Sequence, residues 1–413
     1  MMRILEKKRA ETAVRTLELR GSTDLIKVEP QVRRIVKDVR TQGDRALRKY
    51  AEKWDGLAPR QSLRVPASDL EKAWKSVTED FRLALRTAAE NIRRYCERQC
   101  PREWRISHSG IEVGQVVRAL SSAGCYVPGG RYPLPSTLLM TVIPAQTAGV
   151  KDIRVVSPRP AQETLAAAFF MGVKEFYRVG GAQAIAALAY GTKSIPKVDK
   201  IVGPGNLFVT AAKKLVAFDC SIDFLAGPTE AVVVSRKGDA RYIAADLTAQ
   251  AEHDPETLSI FITTSKRLAE RVQREVEKIS SGNKIAEASL SRRGMILVAG
   301  SQAEAMDFAN RIAPEHITIE PENLPRVLNA GSIFIGDYSP QAAGDYAAGP
   351  NHVLPTGGVA RFRAGLSVMD FVKTISLQQL SREGLQQIAP AVVTLADAEG
   401  LRAHAESVRV RCA

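Results

Sequence analysis

The chain has 413 residues, of which 45% are hydrophobic and 25% are charged, and its formal net charge is +13 at pH 7. This length predicts two or more domains, and the composition excludes disordered and collagen-like proteins. Five cysteines, an odd and sparse set, argue against a disulfide framework and suit a reducing compartment. No apolar run approaches a membrane span and the first residues lack a signal-peptide core, so we expect a cytoplasmic protein without a membrane partner.

The excess positive charge lies in the first part of the chain, where residues 1–118 contain 27 Lys and Arg against 17 Asp and Glu. The basic side chains alternate with acidic ones along helical patterns, without a basic run or an interleaved aromatic series. The pattern indicates a solvated basic face, and we predict no nucleic-acid partner.

The first quarter of the chain is predicted to be largely helical. Apolar residues recur every three or four positions up to about residue 105, for example in segments 30–54 and 69–100. Residues 111–120 alternate like a strand. Residues 124–137 contain too much Gly and Pro for a regular element, and a helix is predicted to follow them.

From residue 152 onward, short β-branched segments alternate with Gly-rich turns and helices. The first series of strands is predicted at residues 152–157, 176–179, 200–202, 221–224 and 231–234. The second series is predicted at residues 259–263, 295–298, 317–320 and 332–335. Such alternation favours an α/β fold with two doubly wound, Rossmann-like domains, with ligands beyond the carboxyl ends of the strands. The tail from about residue 369 is predicted to be helical.

Four of the five histidines lie in polar or Gly/Pro-rich settings where elements end, and functional groups concentrate at such positions. They are His253, His316, His352 and His404. We assign no role to the fifth, His108.

The segment LTAQAEHDP separates Gln250 from His253 by three residues, which puts both side chains on one face of a helix. An amide oxygen and an imidazole there are either half of a metal site or an ordinary polar helix end. The Gly/Pro-rich loop over residues 342–358 contributes Asp345. Together with Gln250, His253 and His404 it would form a mixed N/O set suited to Zn²⁺. The alternative for this loop is a surface lid with incidental polar residues.

The turn APEHI offers Glu315 and His316 as adjacent general bases. The alternative is a buried ion pair that ends a helix.

The turns GGAQ and GPGN follow predicted strands and could present backbone amides to a phosphate. Tight strand-to-helix turns need glycine in any case, and the G-x-G-x-x-G fingerprint of dinucleotide-binding domains is missing. Tyr126 in the Gly/Pro-rich loop is either a stacking ring or a core aromatic.

Taken together, the motifs resemble the histidinol dehydrogenase family from about residue 120 to residue 404. They are GCYVPGG, LLMTVIPAQTAGV, VGGAQAIAALAYGT, VDKIVGPGN, AGPTE, QAEHDP, APEH, AAGDYAAGPNHVLPT and GLRAH. The resemblance implies a homodimer with active sites shared between subunits, which oxidises L-histidinol to L-histidine with two NAD⁺ and one zinc ion.

The resemblance also assigns residues to roles. The implied zinc ligands are Gln250, His253, Asp345 and His404. The implied substrate contacts are these four residues together with Thr229, Glu315, His316, His352 and Glu399. The implied NAD contacts are Tyr126, Gln183 and Asn206. Thr229 stands where family members often have Ser, so the hydroxyl is kept.

In the implied mechanism, His316 removes the hydroxyl proton as hydride leaves for the nicotinamide, and Glu315 activates the water that hydrates the aldehyde.

We predict four structural parts: an N-terminal helical arm (1–20), a discontinuous first α/β domain with the metal and catalytic residues (21–125 and 233–368), an inserted second α/β domain on the NAD side (126–232) and a C-terminal helical tail (369–413).

Overall fold

The computed structural model describes residues 2–20, 23–129 and 132–413, so positions 130 and 131 of the Gly/Pro-rich segment lie outside the described residues. The strands are β1 (Arg3–Glu6), β2 (Trp104–His108), β3 (Ile111–Ala119), β4 (Ser122–Tyr126), β5 (Asp152–Val156), β6 (Glu175–Tyr177), β7 (Lys200–Val202), β8 (Ser221–Ile222), β9 (Glu230–Val234), β10 (Leu258–Thr263), β11 (Met295–Val298), β12 (His316–Ile319), β13 (Ser332–Ile335) and β14 (Val372–Leu380).

The helices include two long ones, α2 and α5, between β1 and β2, and a pair at the end of the chain. They are α1 (Lys8–Glu18), α2 (Thr23–Gln42), α3 (Asp44–Trp54), α4 (Ala67–Ser76), α5 (Glu79–Gln99), α6 (Pro135–Ala148), α7 (Gln162–Phe170), α8 (Gly181–Tyr190), α9 (Leu207–Val216), α10 (Ala240–Ala251), α11 (Lys266–Ser280), α12 (Lys284–Arg292), α13 (Gln302–Ile312), α14 (Gln341–Tyr346), α15 (Arg382–Ala398) and α16 (Arg402–Cys412). Among the described residues, no helix is both long and apolar enough to cross a bilayer.

Two parallel sheets form the centre of the fold. The five-stranded sheet has the order β6-β5-β4-β7-β8, and the six-stranded sheet has the order β1-β11-β10-β9-β12-β13. All recorded strand pairs in both sheets are parallel. Their continuous β-branched runs, such as EAVVV in β9, are buried along their whole length, as expected for sheets covered on both faces. The predicted α/β class with doubly wound sheets is confirmed.

Each sheet has an apolar layer of helices on both faces. On the six-stranded sheet, α1 and α13 contribute to one buried cluster, for example through Val14 and Phe308. Helices α10, α11 and α12 contribute to the other, for example through Leu247, Val272 and Leu290. Burial of such side chains, at about 1.5–3 kcal/mol each, is the main stabilising term that holds the layers together.

Helices α2 to α5 pack on the helices that flank the five-stranded sheet. Helix α2 contacts α8 and α9, α4 contacts α7, and α5 contacts α6. The boundaries of the four parts stay a prediction, but this packing differs from the grouping of residues 21–125 with the six-stranded sheet. Apolar periodicity showed that these helices bury one face, and it did not show which sheet covers that face.

Two segments expected to be helical each contain a strand. Residues 3–6 form β1, an edge strand that pairs with β11, and residues 372–380 form β14, which pairs antiparallel with β3. The described residues also place a strand, β4, at 122–126, partly within the segment expected to be irregular. Four-residue strands such as β1 carry little local signal, because their stability comes from a partner far away in sequence.

Candidate active site

The connection from β8 to β9 carries the chain from the five-stranded sheet to the six-stranded sheet, and the predicted catalytic residues lie where it arrives. Glu230 is the first residue of β9 and His316 is the first residue of β12. The two strands are neighbours, with Ala231 opposite His316. His316 and Glu230 thus lie at the amino ends of their strands, whereas ligands were expected beyond the carboxyl ends, and where ligands bind stays a prediction.

Glu315 and His316 are both buried, with 7% and 3% of their surface exposed. The carboxylate Oε2 of Glu315 accepts a hydrogen bond of 3.0 Å from the backbone N–H of Glu230. The ring of His316 lies between two carboxylates, with Nδ1 3.7 Å from Oε2 of Glu315 and Nε2 3.4 Å from Oδ1 of Asp345. Nδ1 of His316 is buried and makes no hydrogen bond, so a buried imidazole nitrogen is left for another partner.

Gln250 and Asp345 meet although they are 95 positions apart. Gln250 lies in the last turn of α10 and is 1% exposed, and its Nε2 donates to Oδ2 of Asp345 over 2.8 Å. Asp345 lies in α14, which the Gly/Pro-rich loop follows. These two predicted zinc ligands are therefore in contact, and Asp345 also contacts His316. Their role toward a metal stays a prediction.

His352 joins the same cluster from the loop after α14. Its Nδ1 lies 2.6 Å from the backbone oxygen of Asp345, and its Nε2 lies 3.2 Å from the hydroxyl of Thr137 in α6. The Nδ1 contact requires a proton on that nitrogen, which leaves Nε2 of a neutral ring to accept from Thr137. Gln250, Glu315, His316, Asp345 and His352 are called the central cluster below.

Burial and charge shift the protonation of the central cluster. Burial raises the pKa of Glu315 to about 8. Burial alone would lower the pKa of His316, but the neighbouring carboxylates of Glu315 and Asp345 outweigh it and raise that pKa above its usual value. Burial would raise the pKa of Asp345, but the contact with His316 outweighs it and lowers the pKa. Burial lowers the pKa of His352. Such separation of pKa values within one cluster is typical of acid–base sites.

The other predicted site residues lie at different distances from the central cluster. His253 follows α10 and is exposed. Thr229 directly precedes Glu230, and its backbone oxygen accepts from Leu258 over 2.9 Å.

His404 and Glu399 lie on the C-terminal helical pair and are exposed. Their recorded hydrogen bonds stay within that pair, such as Ser407 Oγ to the backbone oxygen of His404 at 2.7 Å. Among residues 2–20, 23–129 and 132–413, no three His, Cys, Asp or Glu side chains converge on one point as metal ligands. The chain thus brings together two of the four predicted metal ligands in direct contact, Gln250 and Asp345.

The predicted NAD-contacting residues lie at the carboxyl ends of the five-stranded sheet. Tyr126 is 3% exposed and its hydroxyl accepts from the N–H of Gly181 over 3.1 Å. Gln183 is buried and donates to Asp55 over 3.0 Å. Asn206 is exposed and caps α9 by accepting from two backbone N–H groups. Tyr126 and Gln183 thus have structural partners, and their role toward NAD stays a prediction.

Sequence reasoning missed several residues that shape the site. Glu230 received no role from the motif AGPTE, yet its backbone N–H donates a hydrogen bond to the carboxylate of Glu315 and its side chain is buried. Lys213 and Asp223 form a buried ion pair of 2.7 Å, and Asp223 accepts from the N–H of Gly203 in the GPGN turn. Gly203 has φ +113° and packs on the backbone of Tyr126 with no room for a side chain. A charged residue at the start of the apolar run AVVV, just after Gly-Pro-Thr, was the available signal for Glu230.

Comparisons with known proteins agree on one family. The family model described as histidinol dehydrogenase matches residues 18–412. The chain is 46% identical over 408 residues to a histidinol dehydrogenase of Methanothermobacter thermautotrophicus, which covers 95% of each chain. It is 46% identical over 407 residues to one of Geobacter metallireducens, covering 95% of this chain and 93% of the relative. The crystal structure of histidinol dehydrogenase from Elizabethkingia anophelis superposes with a TM-score of 0.94 at 33% identity, over 99% of this chain and 98% of that one. The chain therefore belongs to the histidinol dehydrogenase family of NAD-dependent oxidoreductases.

Proposed function

We propose that the protein oxidises L-histidinol to L-histidine through histidinaldehyde and reduces two NAD⁺ per substrate, as a zinc-dependent homodimer. The observation that carries the proposal is the central cluster, in which separate segments bring two carboxylates, two imidazoles and a carboxamide together. Burying these polar and titratable groups lowers the stability of the fold, and such groups with shifted pKa values are typical of catalytic sites.

Zn²⁺ fits the donors of this site in chemistry. Gln250 and Asp345 lie side by side, and an amide oxygen, a carboxylate and two imidazoles form a set that zinc accepts. We propose that Gln250, His253 and Asp345 hold the ion together with His404 of the other subunit, because His404 is exposed on the C-terminal pair. The ion would supply a Lewis acid that orients the substrate's amine and imidazole.

The first oxidation needs a base at the alcohol, and His316 is the proposed base. The substrate loses its hydroxyl proton to His316 and a hydride to NAD⁺, which gives the aldehyde and NADH. The carboxylate of Asp345, 3.4 Å from Nε2, stabilises the imidazolium that forms. The other nitrogen, Nδ1, is 3.7 Å from Glu315, so the positive charge lies between two carboxylates.

The second oxidation needs water. We propose that the carboxylate of Glu315 takes a proton from the water that adds to the aldehyde, and that His316 then takes a proton from the hydrate as the second hydride leaves for NAD⁺. Before this second transfer, His316 releases to solvent the proton that it took in the first oxidation. The sum is histidinol, water and two NAD⁺ giving histidine carboxylate, two NADH and three protons, about as the two hydride transfers and one hydration require. Thr229, His352 and Glu399 would bind the polar and charged parts of the substrate.

The activity can be tested by following NADH formation with L-histidinol in the presence and absence of a chelator. We expect about two NADH per histidinol, from the two hydride transfers, and loss of activity on chelation that added Zn²⁺ restores. No turnover by metal-loaded protein would contradict the proposal. Turnover of another amino alcohol or a polyol, but not of histidinol, would instead favour a related dehydrogenase, and metal binding without any turnover a non-catalytic paralogue.

The pH dependence of kcat tests the role of Glu315. Its carboxylate faces His316 and Asp345, with Glu230 behind it, and burial raises its pKa to about 8. The base form is therefore scarce below about pH 8 and grows above it, so we expect kcat to rise through this region. Glu315→Gln should give a low kcat without this rise. A wild-type profile that stays flat across the same range would contradict Glu315 as the base.

A further inference from the structure

Arg20, at the end of the N-terminal arm, forms a buried ion pair with Glu230 across 210 positions. Its Nε and Nη2 donate to the two carboxylate oxygens of Glu230, each over 2.7 Å. The side chains are 14% and 6% exposed. A bidentate pair of this kind fixes both distance and orientation, which a lysine in place of Arg20 could not do.

Glu230 is connected to both sides of the central cluster. Its N–H donates to the carboxylate of Glu315 over 3.0 Å. Its Oε1 accepts from the N–H of Gly357 over 3.0 Å, and Gly357 ends the loop that carries His352. The pair therefore connects the arm to the proposed water-activating carboxylate and to a proposed substrate-binding loop.

We propose that Arg20 and Glu230 are positioning residues that hold Glu315 and the loop of His352 in their working arrangement. Neither residue touches the reacting atoms. Without Arg20, the Glu230 carboxylate would be a buried charge without a counter-ion, and it would gain free energy by turning toward water. Such a turn would release Gly357 and shift the start of β9, on which Glu315 depends.

The competing explanation is that Arg20 only fastens the arm to the rest of the fold. A second arginine offers a matched control, because Arg311 binds Glu11 and Glu18 of α1 over 2.8 and 2.9 Å. Arg311 holds the same arm, and among the described residues its side chain forms ion pairs with Glu11, Glu18 and Asp307 and none with Glu230 or Glu315. A tether alone predicts equal effects for Arg20 and Arg311.

The experiment compares Arg20→Met, Glu230→Gln, the double variant and Arg311→Met in the full-length, zinc-loaded protein. We expect kcat to fall about tenfold or more in each of the first two, and the double variant to lose much less than the product of the single losses, as residues acting as a unit do. Arg311→Met should keep kcat within about twofold of wild type. Arg20→Lys, which keeps the charge and loses the fork, should fall between wild type and Arg20→Met.

A second measurement does not depend on turnover. Hydrogen exchange of the amides around Gly357 should speed up about tenfold or more in Arg20→Met, because local opening becomes easier, and stay unchanged in Arg311→Met. If Arg20→Met does not fold, Arg20→Lys gives the same comparison.

The proposal rests on the proposed function only for the kcat readout, since the exchange readout follows from the contacts alone. If wild-type protein does not oxidise histidinol, the proposed function fails and the positioning role is still judged by exchange. The positioning role is overturned if Arg20→Met keeps wild-type kcat and exchange, or if Arg311→Met matches its losses in both.

Discussion

Replacing His316 with asparagine is expected to lower kcat for NADH formation roughly a thousandfold, within the range by which a positioned general base accelerates proton transfer. Asparagine cannot take up a proton near neutral pH, so both hydride transfers lose their base. Zinc content should stay at the wild-type level, because His316 contacts Asp345 through Nε2 at 3.4 Å but is not a proposed ligand. The measurements are steady-state kinetics with L-histidinol and metal analysis of the purified variant.

The control is His108→Asn, which changes the same residue type at an exposed position on β2, and which should leave kcat and zinc unchanged. His316 is buried beside Phe334, with ring centroids 5.8 Å apart, so thermal unfolding must accompany the kinetics. A folded His316→Asn variant with wild-type kcat would remove His316 from the role of base. Loss of zinc in the same variant would instead indicate that His316 holds the metal site together.

The sequence predicted the strand-helix alternation because each element carries a local pattern. Runs such as EAVVV and LSIFIT are buried throughout, and their β-branched residues mark them without knowledge of their neighbours. Polar residues at element ends pointed to Gln250 and Glu315 themselves, but not to Glu230, whose N–H binds Glu315. The motif order also suggested the contact of Gln250 with Asp345, which the structure contains.

The other features of the fold and of the site depend on contacts between residues far apart in sequence, which no local sequence pattern indicates. The central cluster lies at the amino ends of β9 and β12, where the short connection from β8 enters the sheet. Knowing which segments are strands does not predict at which end of them the cluster lies. Strand β1 is stabilised by pairing with the edge of β11, which is far away in sequence. The apolar faces of helices α2 to α5 do not indicate which of the two sheets they lie next to. The Arg20–Glu230 pair joins residues 210 positions apart, and arginine at the end of a basic, amphipathic arm gave no sign of it.

Replacing His404 with alanine is expected to remove zinc and activity together. His404 would complete a four-ligand set of which Gln250 and Asp345 are the parts in contact within one chain. We expect zinc affinity to fall roughly a hundredfold or more, since even changes behind the ligands commonly cost ten- to a hundredfold. Glu406→Gln, at another exposed position of the same helix α16, should keep both zinc and turnover. Retained zinc in His404→Ala would exclude it as a ligand.

Mixing the two inactive variants tests whether His404 acts on the other subunit. In a heterodimer of His316→Asn and His404→Ala chains, sites shared between subunits give one site with both changes and one site with neither. Random exchange makes half of the dimers mixed, so about a quarter of wild-type activity should return if the dimer is symmetric. If His404 serves its own chain, every site keeps one change and no activity returns. Because His404 is exposed and its hydrogen bonds to described residues lie within the C-terminal pair, we expect the activity to return.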